Sequence, residues 1–388
     1  MTQCVILAGD ADTPREALGT KAAPSSCEAA HLLESLIDEV ARFGVSDFLV
    51  VAGSRAPTGD GGDRTRRSRD GRVLTITTFE PEPGHPREAL SRFSDRLCDT
   101  FLMINGTTFF DCNIAGLVQP ALEAGRMVRL AVCQKSDLPG CAAVEMDGDR
   151  VIGISKQNQA SGAGWISAGI SYARKEVISL IDRVPRSLEM DIVTRLLWIE
   201  AVEARRFAGE VIDLGATAAP GARPFFPIRR AAVFFDRDGV LNEDSGYVNQ
   251  PHALRWLPGA RESVRAVNDS GRFAFVVTNQ SGVARGYYGE DAVLAFHAEM
   301  QRQLLAIGAH IDAFVFCPHH PEGILPFYAR DCDCRKPLPG MVLKVLESWP
   351  VRRQGSILIG DRPSDLLAAE AAGLAGRLYG GGDVRQSL

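Results

Sequence analysis

The sequence predicts an α/β fold made of two doubly wound domains. Three observations carry this. Each half of the 388-residue chain alternates short apolar runs with longer amphipathic ones. A proline- and glycine-rich stretch from Gly215 to Arg230 interrupts that alternation midway. Acidic, hydroxyl and thiol residues stand where the apolar runs of the second half end. Alternation of this kind implies parallel sheets covered by helices, with ligands bound beyond the carboxyl ends of the strands.

The first half opens with a strand at Cys4 to Ala8 and a helix at Glu28 to Phe43. Strands follow at Asp47 to Ala52, Thr100 to Ile104 and Met127 to Cys133. Gly59 to Arg72, rich in Gly, Asp and Arg, reads as a mobile loop. The second half reads as strand Ala231 to Phe235, helix Gly259 to Ser270, strand Phe273 to Thr278 and helix Asp291 to Ile307. It continues with strand Ala313 to Cys317, helix Gly340 to Glu347, strand Ser356 to Ile359 and a helix from Ser364. The expected division is a first domain over 1–219, a linker over 220–229 and a second domain over 230–388.

Composition narrows the function. Apolar residues make up 45% and charged residues 23% of the chain, as in soluble globular proteins. A net charge of −5 argues against a general nucleic-acid binder. No apolar run approaches a membrane span, and the N-terminal run lacks the basic flank of a signal peptide. The nine cysteines, several of them in apolar runs, fit a reducing cytoplasm, with three reserved for metal.

The chemistry concentrates in the second half. Asp236 stands just past a buried strand, in Phe235-Asp-Arg-Asp-Gly-Val-Leu241, where its carboxylate can attack a phosphoryl group. Asp238, two residues on, is placed as proton donor and then as base for water, and Gly239 allows the sharp turn. Asp361, after another apolar strand, completes a carboxylate set suited to Mg²⁺, and Asp365 is placed to orient the metal shell. Thr278 offers a hydroxyl and an N–H to a phosphate, and Lys336 a point charge. Asp236, Thr278, Cys317 and Asp361 each follow an apolar run and are expected to converge on one sheet edge. The pattern Cys317-x-His319, then Cys332-x-Cys334, supplies three thiolates and an imidazole for tetrahedral Zn²⁺. Spacing alone leaves His319 and His320 both open.

These motifs, in this order, resemble the haloacid dehalogenase superfamily of aspartyl-phosphate phosphatases. Thr278-Asn-Gln-Ser-Gly-Val-Ala-Arg-Gly-Tyr-Tyr288 and the Cys317-Pro-His-His-Pro321 to Cys332-Asp-Cys-Arg-Lys-Pro-Leu-Pro-Gly-Met341 string are similar to the D-glycero-D-manno-heptose 1,7-bisphosphate phosphatases. The resemblance spans about residues 229–380. It implies a haloacid-dehalogenase-like Rossmannoid domain with a zinc loop. It implies Asp236 as nucleophile, Asp238 as acid and base, and Thr278 and Lys336 on the transferring phosphate. Mg²⁺ is implied at Asp236, the backbone carbonyl of Asp238, and Asp361. Zn²⁺ is implied at Cys317, His319, Cys332 and Cys334. Asn279, Ser281, Arg285 and Arg335 are the implied contacts to the rest of a sugar phosphate. Histidinol-phosphate phosphatases carry the same zinc loop and occur fused to a dehydratase that needs many histidines. The first half here has only His31 and His85, which does not suit that fusion.

The first half, over about residues 1–219, resembles the Rossmann-type sugar-1-phosphate nucleotidyltransferases. The likeness rests on Cys4-Val-Ile-Leu-Ala-Gly9, Phe101-Leu-Met-Ile-Asn-Gly106, Gly164-Trp-Ile-Ser-Ala-Gly-Ile-Ser-Tyr172, Ser187-Leu-Glu-Met-Asp191 and Val211-Ile-Asp-Leu-Gly215. The departures fall on that family's chemistry. Asp10, Asp12 and Pro14 occupy the phosphate loop, Ser25 stands where a lysine is expected, and Thr107 replaces a metal-binding Asp. Asp213 alone matches the second metal carboxylate, although Lys21 lies near enough in sequence to offer an alternative lysine. The expectation is an inactive domain kept as a scaffold, a homo-oligomer surface or a ligand sensor. The alternatives are a bifunctional phosphatase and heptose-1-phosphate nucleotidyltransferase, and a histidinol-phosphate or other sugar-phosphate phosphatase with a sugar-nucleotide-sensing or scaffold module.

Overall fold

The computed structural model describes residues 3–8, 26–52, 62–79, 94–106, 108–134, 142–156, 164–180, 188–213 and 228–388. Gly9, Asp10, Asp12, Pro14, Lys21, Ser25 and Thr107, the Asp213 side chain and most of the 220–229 linker lie outside them. The chain divides into two compact units, Met1–Phe226 and Pro227–Leu388. No helix among the described residues is long and apolar enough to cross a membrane.

In the first unit the strands are β1 (Gln3–Ala8), β2 (Asp47–Ala52), β3 (Asp63–Arg67), β4 (Val73–Phe79), β5 (Thr100–Asn105) and β6 (Thr108–Phe110). They continue with β7 (Val128–Gln134), β8 (Ala142–Asp147), β9 (Arg150–Lys156), β10 (Trp165–Arg174), β11 (Val202–Arg206) and β12 (Val211–Asp213). Its helices are α1 (Ser26–Ala41), α2 (Ile114–Val118) and α3 (Leu188–Leu197). Ten strands form one sheet in the order β3-β4-β2-β1-β5-β10-β7-β11-β9-β8, and β12 pairs with β6 in a ribbon.

This sheet corrects two expectations. It is mixed: β4, β2, β1 and β5 run parallel, but β10 pairs antiparallel with both β5 and β7. Ser167 and Ser171 flank a register shift in β10, so the long strand crosses from one neighbour set to the next. The second correction is at Gly59 to Arg72, which contains strand β3, antiparallel to β4. Its composition misled because the arginines alternate along an edge strand. Arg64 and Arg66, on one face, pair with Glu34 and Asp38 of α1.

The second unit is a five-stranded parallel sheet. Its strands are β13 (Ala232–Phe235), β14 (Phe273–Asn279), β15 (Ala313–Cys317), β16 (Ile357–Gly360) and β17 (Ala375–Leu378), in the order β15-β14-β13-β16-β17. The helices are α4 (Ala260–Asp269), α5 (Glu290–Leu305), α6 (Gly340–Ser348) and α7 (Pro363–Ala371). Strands buried on both faces read as unbroken apolar runs, and alternate residues serve opposite layers. Val233 and Phe235 pack with Val264 of α4 and Phe296 of α5. Ala232 and Phe234 pack with Met341 of α6 and Ala369 of α7. The centre of the sheet is thereby fixed, and its carboxyl edge carries Cys317, Thr278, Asp236 and Asp361 from adjacent strands in that order.

Candidate active site and metal centres

Asp236 is the first residue beyond β13. Its N–H donates to Ile359 O of β16 at 2.9 Å, which extends the ladder by one rung and fixes the start of the loop. The carboxylate is buried. Its Oδ1 accepts from the Arg237 N–H at 2.8 Å and pairs with Lys336 Nζ at 2.9 Å, so Oδ2 is the edge without a protein donor among the described residues. Burial, opposed by Lys336 and abetted by Asp365, pushes this carboxyl up to about 6.

Lys336 is as buried as its partner. Its ammonium touches Asp236 Oδ1, Asp365 Oδ1 at 2.6 Å and the Val277 carbonyl at 2.9 Å. Burial alone would lower its pKa, but the two carboxylates outweigh burial and hold it above the ordinary lysine value. Asn279 positions this lysine. Its amide donates to Lys336 O and accepts from Lys336 N–H, both at 3.1 Å, so its side chain is committed to the backbone of the lysine segment.

The third carboxylate follows β16. One oxygen from each of Asp236, Asp361 and Asp365 lies within 4.8 Å of the others. Asp365 sits in the first turn of α7, where its Oδ2 caps the Arg362 N–H at 3.0 Å. Glycines admit these groups. A Cβ on Gly239, whose φ is +84°, would fall 2.4 Å from Asp361 Oδ2, and one on Gly360 would fall 2.2 Å from Asp365 Cβ. Asp361 Oδ1 is buried without a hydrogen-bond partner among the described residues, whereas Asp365 Oδ1 is taken by Lys336. A buried carboxylate oxygen left in this way fits a divalent cation with oxygen ligands.

Asp238 is turned into a cradle of donors. Arg237, fully buried, grips it with Nε at 3.1 Å and Nη2 at 2.9 Å. Asn242 Nδ2 donates to Oδ1 and Gln280 Nε2 to Oδ2, each at 2.9 Å. The Gln280 amide also donates to Thr278 Oγ1. Sequence reasoning missed Arg237, Asn242, Gln280 and Asp365's contact with the lysine. Their only signal was position inside or beside the quoted motifs.

The thiol cluster begins at the last residue of β15. The sulfurs of Cys317, Cys332 and Cys334 lie 3.1 to 3.5 Å apart, and His319 Nδ1 lies 3.4 Å from Cys334 and 3.7 Å from Cys317. These thiols are free, and their spacing exceeds a disulfide bond. Four soft donors around one point suit Zn²⁺, with ligand bonds of about 2.0–2.3 Å. His320 is outside the cluster. Its Nε2 faces Arg285 Nη2 at 3.4 Å and its Nδ1 accepts from Glu322 N–H. Arg335 reaches the His319 carbonyl at 3.3 Å. Arg285 also approaches Glu322 at 3.6 Å and leaves its Nε buried without a partner. Ser281 is half-buried, and its carbonyl accepts from the Arg285 N–H.

A HAD-hydrolase-like family profile matches residues 333–387. The chain is 48% identical over 156 residues to the D-glycero-beta-D-manno-heptose-1,7-bisphosphate 7-phosphatase of Rhodopseudomonas palustris, covering 40% of this chain and 87% of that protein. Among solved structures, the D,D-heptose 1,7-bisphosphate phosphatase of B. bronchiseptica, complexed with magnesium and phosphate, is 35% identical. That match covers 40% of this chain and 84% of the other, with a TM-score of 0.36. HddC from Yersinia pseudotuberculosis is 16% identical and covers 56% of this chain and 95% of its own, with a TM-score of 0.42. Through its C-terminal region the chain belongs to the D-glycero-β-D-manno-heptose-1,7-bisphosphate 7-phosphatase family of haloacid-dehalogenase-type enzymes, and it is a phosphoric monoester hydrolase.

Proposed function

We propose that the chain removes the C7 phosphate of D-glycero-D-manno-heptose 1,7-bisphosphate, with Mg²⁺ as cofactor and Zn²⁺ as a structural ion. One observation carries the reading: a buried nucleophile candidate, Asp236, is paired with Lys336 inside a carboxylate cluster at the carboxyl edge of the sheet. The 48% identity to a protein of that name supports the substrate.

In this reading Asp236 Oδ2 forms a bond to phosphorus as the P–O bond to C7 breaks, and Asp238 gives its proton to the departing oxygen. Asp238 then takes a proton from the water that attacks the aspartyl-phosphate. That step frees Asp236 and inorganic phosphate. Lys336 and Thr278 hold the phosphoryl oxygens. Asp236, Asp361 and the backbone carbonyl of Asp238 would hold Mg²⁺, with Asp365 behind them, and that ion would supply positive charge against the repulsion of a carboxylate nucleophile. Cys317, His319, Cys332 and Cys334 would hold Zn²⁺. Arg285, Arg335 and Ser281 face the remainder of the sugar phosphate. Asn279 belongs with the positioning groups rather than with these, because both ends of its amide are spent on Lys336.

The first unit is read as a nucleotidyltransferase-like module without transferase activity. A phosphate-release panel tests the main reading, with both anomers of heptose 1,7-bisphosphate, histidinol phosphate and common sugar phosphates as substrates. The heptose bisphosphate is expected to give the highest kcat/KM. A clear preference for histidinol phosphate would overturn the substrate assignment.

A further inference from the structure

We propose that Tyr288 and Gln280 form a two-residue relay that positions Asp238 for proton transfer. The proposal rests on the phosphatase reading above. Gln280 lies just past β14, and its amide is oriented from both ends. The Tyr288 hydroxyl donates to Gln280 Oε1 at 2.9 Å. With that oxygen occupied, the amide can present only its NH₂ to the other side, where Nε2 donates to Asp238 Oδ2 and to Thr278 Oγ1, each at 2.9 Å. An amide turned the other way would set an oxygen against a carboxylate. The Asp238 carboxylate and the Tyr288 hydroxyl together hold Gln280 with its NH₂ toward the acid and base residue, and Tyr288 fixes the amide from its far end.

The relay is built into the loop. Any Cβ at position 282 would come within 2.3 to 2.5 Å of Tyr288 Cε1, Cζ and Oη, so Gly282 is what lets the ring lie against the turn. Burial pushes the Tyr288 phenol up to about 12, which keeps the hydroxyl a donor. The neighbouring Arg237 and Asn242 hold Asp238 from its other side. Gln280 links the Asp238 carboxylate to Thr278, a residue assigned to the phosphate. It couples the direction of the proton donor to the seat of the transferring phosphoryl group.

The test compares leaving groups in the full-length protein. An alkoxide leaving from a sugar needs a proton, whereas p-nitrophenolate does not. Because kcat/KM reports only steps up to aspartyl-phosphate formation, it isolates the acid role. Tyr288→Phe should lower kcat/KM on heptose 1,7-bisphosphate about tenfold, a fraction of the 10²–10⁴ that general acid catalysis contributes. On p-nitrophenyl phosphate the loss should stay under about twofold. Gln280→Met should show the same contrast more strongly, and the double variant should lose no more than Gln280→Met alone, since Tyr288 acts through Gln280. Equal losses on both phosphates, losses that multiply in the double variant, or an unaffected Tyr288→Phe each overturn the relay. If the wild type ignores heptose bisphosphate, the substrate reading fails separately, and the same contrast is read on the sugar phosphate it does hydrolyse. A wild type that releases phosphate from no sugar phosphate overturns the relay as well.

Discussion

Lys336 Nζ stands 2.9 Å from Asp236 Oδ1, an ammonium and a carboxylate both withdrawn from solvent. Removing one member of such a pair leaves the other charge uncompensated, which costs about 3–5 kcal/mol. Lys336→Met should therefore lose phosphate release and also melt lower than the wild type. Asp236→Asn keeps the shape and a neutral partner. It should fold but bring phosphate release down to assay background, because an amide cannot form an aspartyl-phosphate. Phosphate release and thermal melts on the two variants separate these outcomes, and steady turnover by a verified Asp236→Asn sample would remove Asp236 from its role.

The orphaned Asp361 Oδ1 predicts a metal phenotype. Asp361→Asn should shift the Mg²⁺ concentration for half-maximal activity upward by about tenfold or more, the scale on which altered metal surroundings act. A magnesium titration that superimposes on the wild type would exclude Asp361 as a ligand.

The thiol cluster predicts one Zn²⁺ per chain in protein purified without added metal, read by elemental analysis. Asn279 faces Cys317 across the β14–β15 register, and the Gln280 N–H donates to the Cys317 carbonyl at 2.8 Å. Cys332→Ser should consequently reduce activity through the Lys336 segment, since ligand loss also weakens local folding. Zinc-free protein with full activity would leave the cluster without this role.

His297 gives a pH dependence of stability. It is buried against Phe314, and burial together with Arg237 holds its pKa well below the ordinary histidine value. The unfolded chain takes up a proton as pH falls through about 6.5, and the folded chain does not. Stability is therefore unaffected by this group above that pH and declines below it. In His297→Phe the decline between about pH 6.5 and 5 should be shallower. Melting curves across that range check the slope, and parallel slopes would show that His297 is not the group responsible.

For the first unit the expectation is no sugar-dependent pyrophosphate release from GTP, ATP, CTP or UTP with heptose 1-phosphate. Nucleotidyl transfer needs a metal between carboxylates and a cationic cradle for the phosphates. Thr107 and Ser25 are neutral hydroxyls, and Asp10 and Asp12 add negative charge to the opening loop. Thr107→Asp alone should not restore activity. Pyrophosphate release that vanishes in Asp213→Ala would establish a second active site.

The second unit was the more legible one because its central strands are covered on both faces. Phe273 to Thr278 could then be read as an unbroken apolar run ending at a polar residue, and the strand is Phe273–Asn279. Strand β3 was illegible because an edge strand bearing ion-paired arginines has the composition of a loop. The antiparallel course of β10 left no local mark either. Motif spacing pointed to Asp236, Lys336 and the thiols. It gave no hint that Arg237 would turn inward to grip Asp238, or that Tyr288 would reach Gln280. Such contacts depend on how loops from different strands fold back, and no residue period encodes that.

Gly239 and Asp361 carry a consequence in evolutionary terms. The space a methyl group would need at position 239 is filled by the Asp361 carboxylate, and the backbone there has a positive φ. Two positions far apart in the gene thus behave as one heritable unit. A side chain at 239 would have to displace the Asp361 carboxylate and adopt a strained positive φ, and an acid lost at 361 would release 239 from only the steric half of that constraint. Lineages that keep the acid should keep the glycine, and those that abandon the chemistry should drift at 361 first.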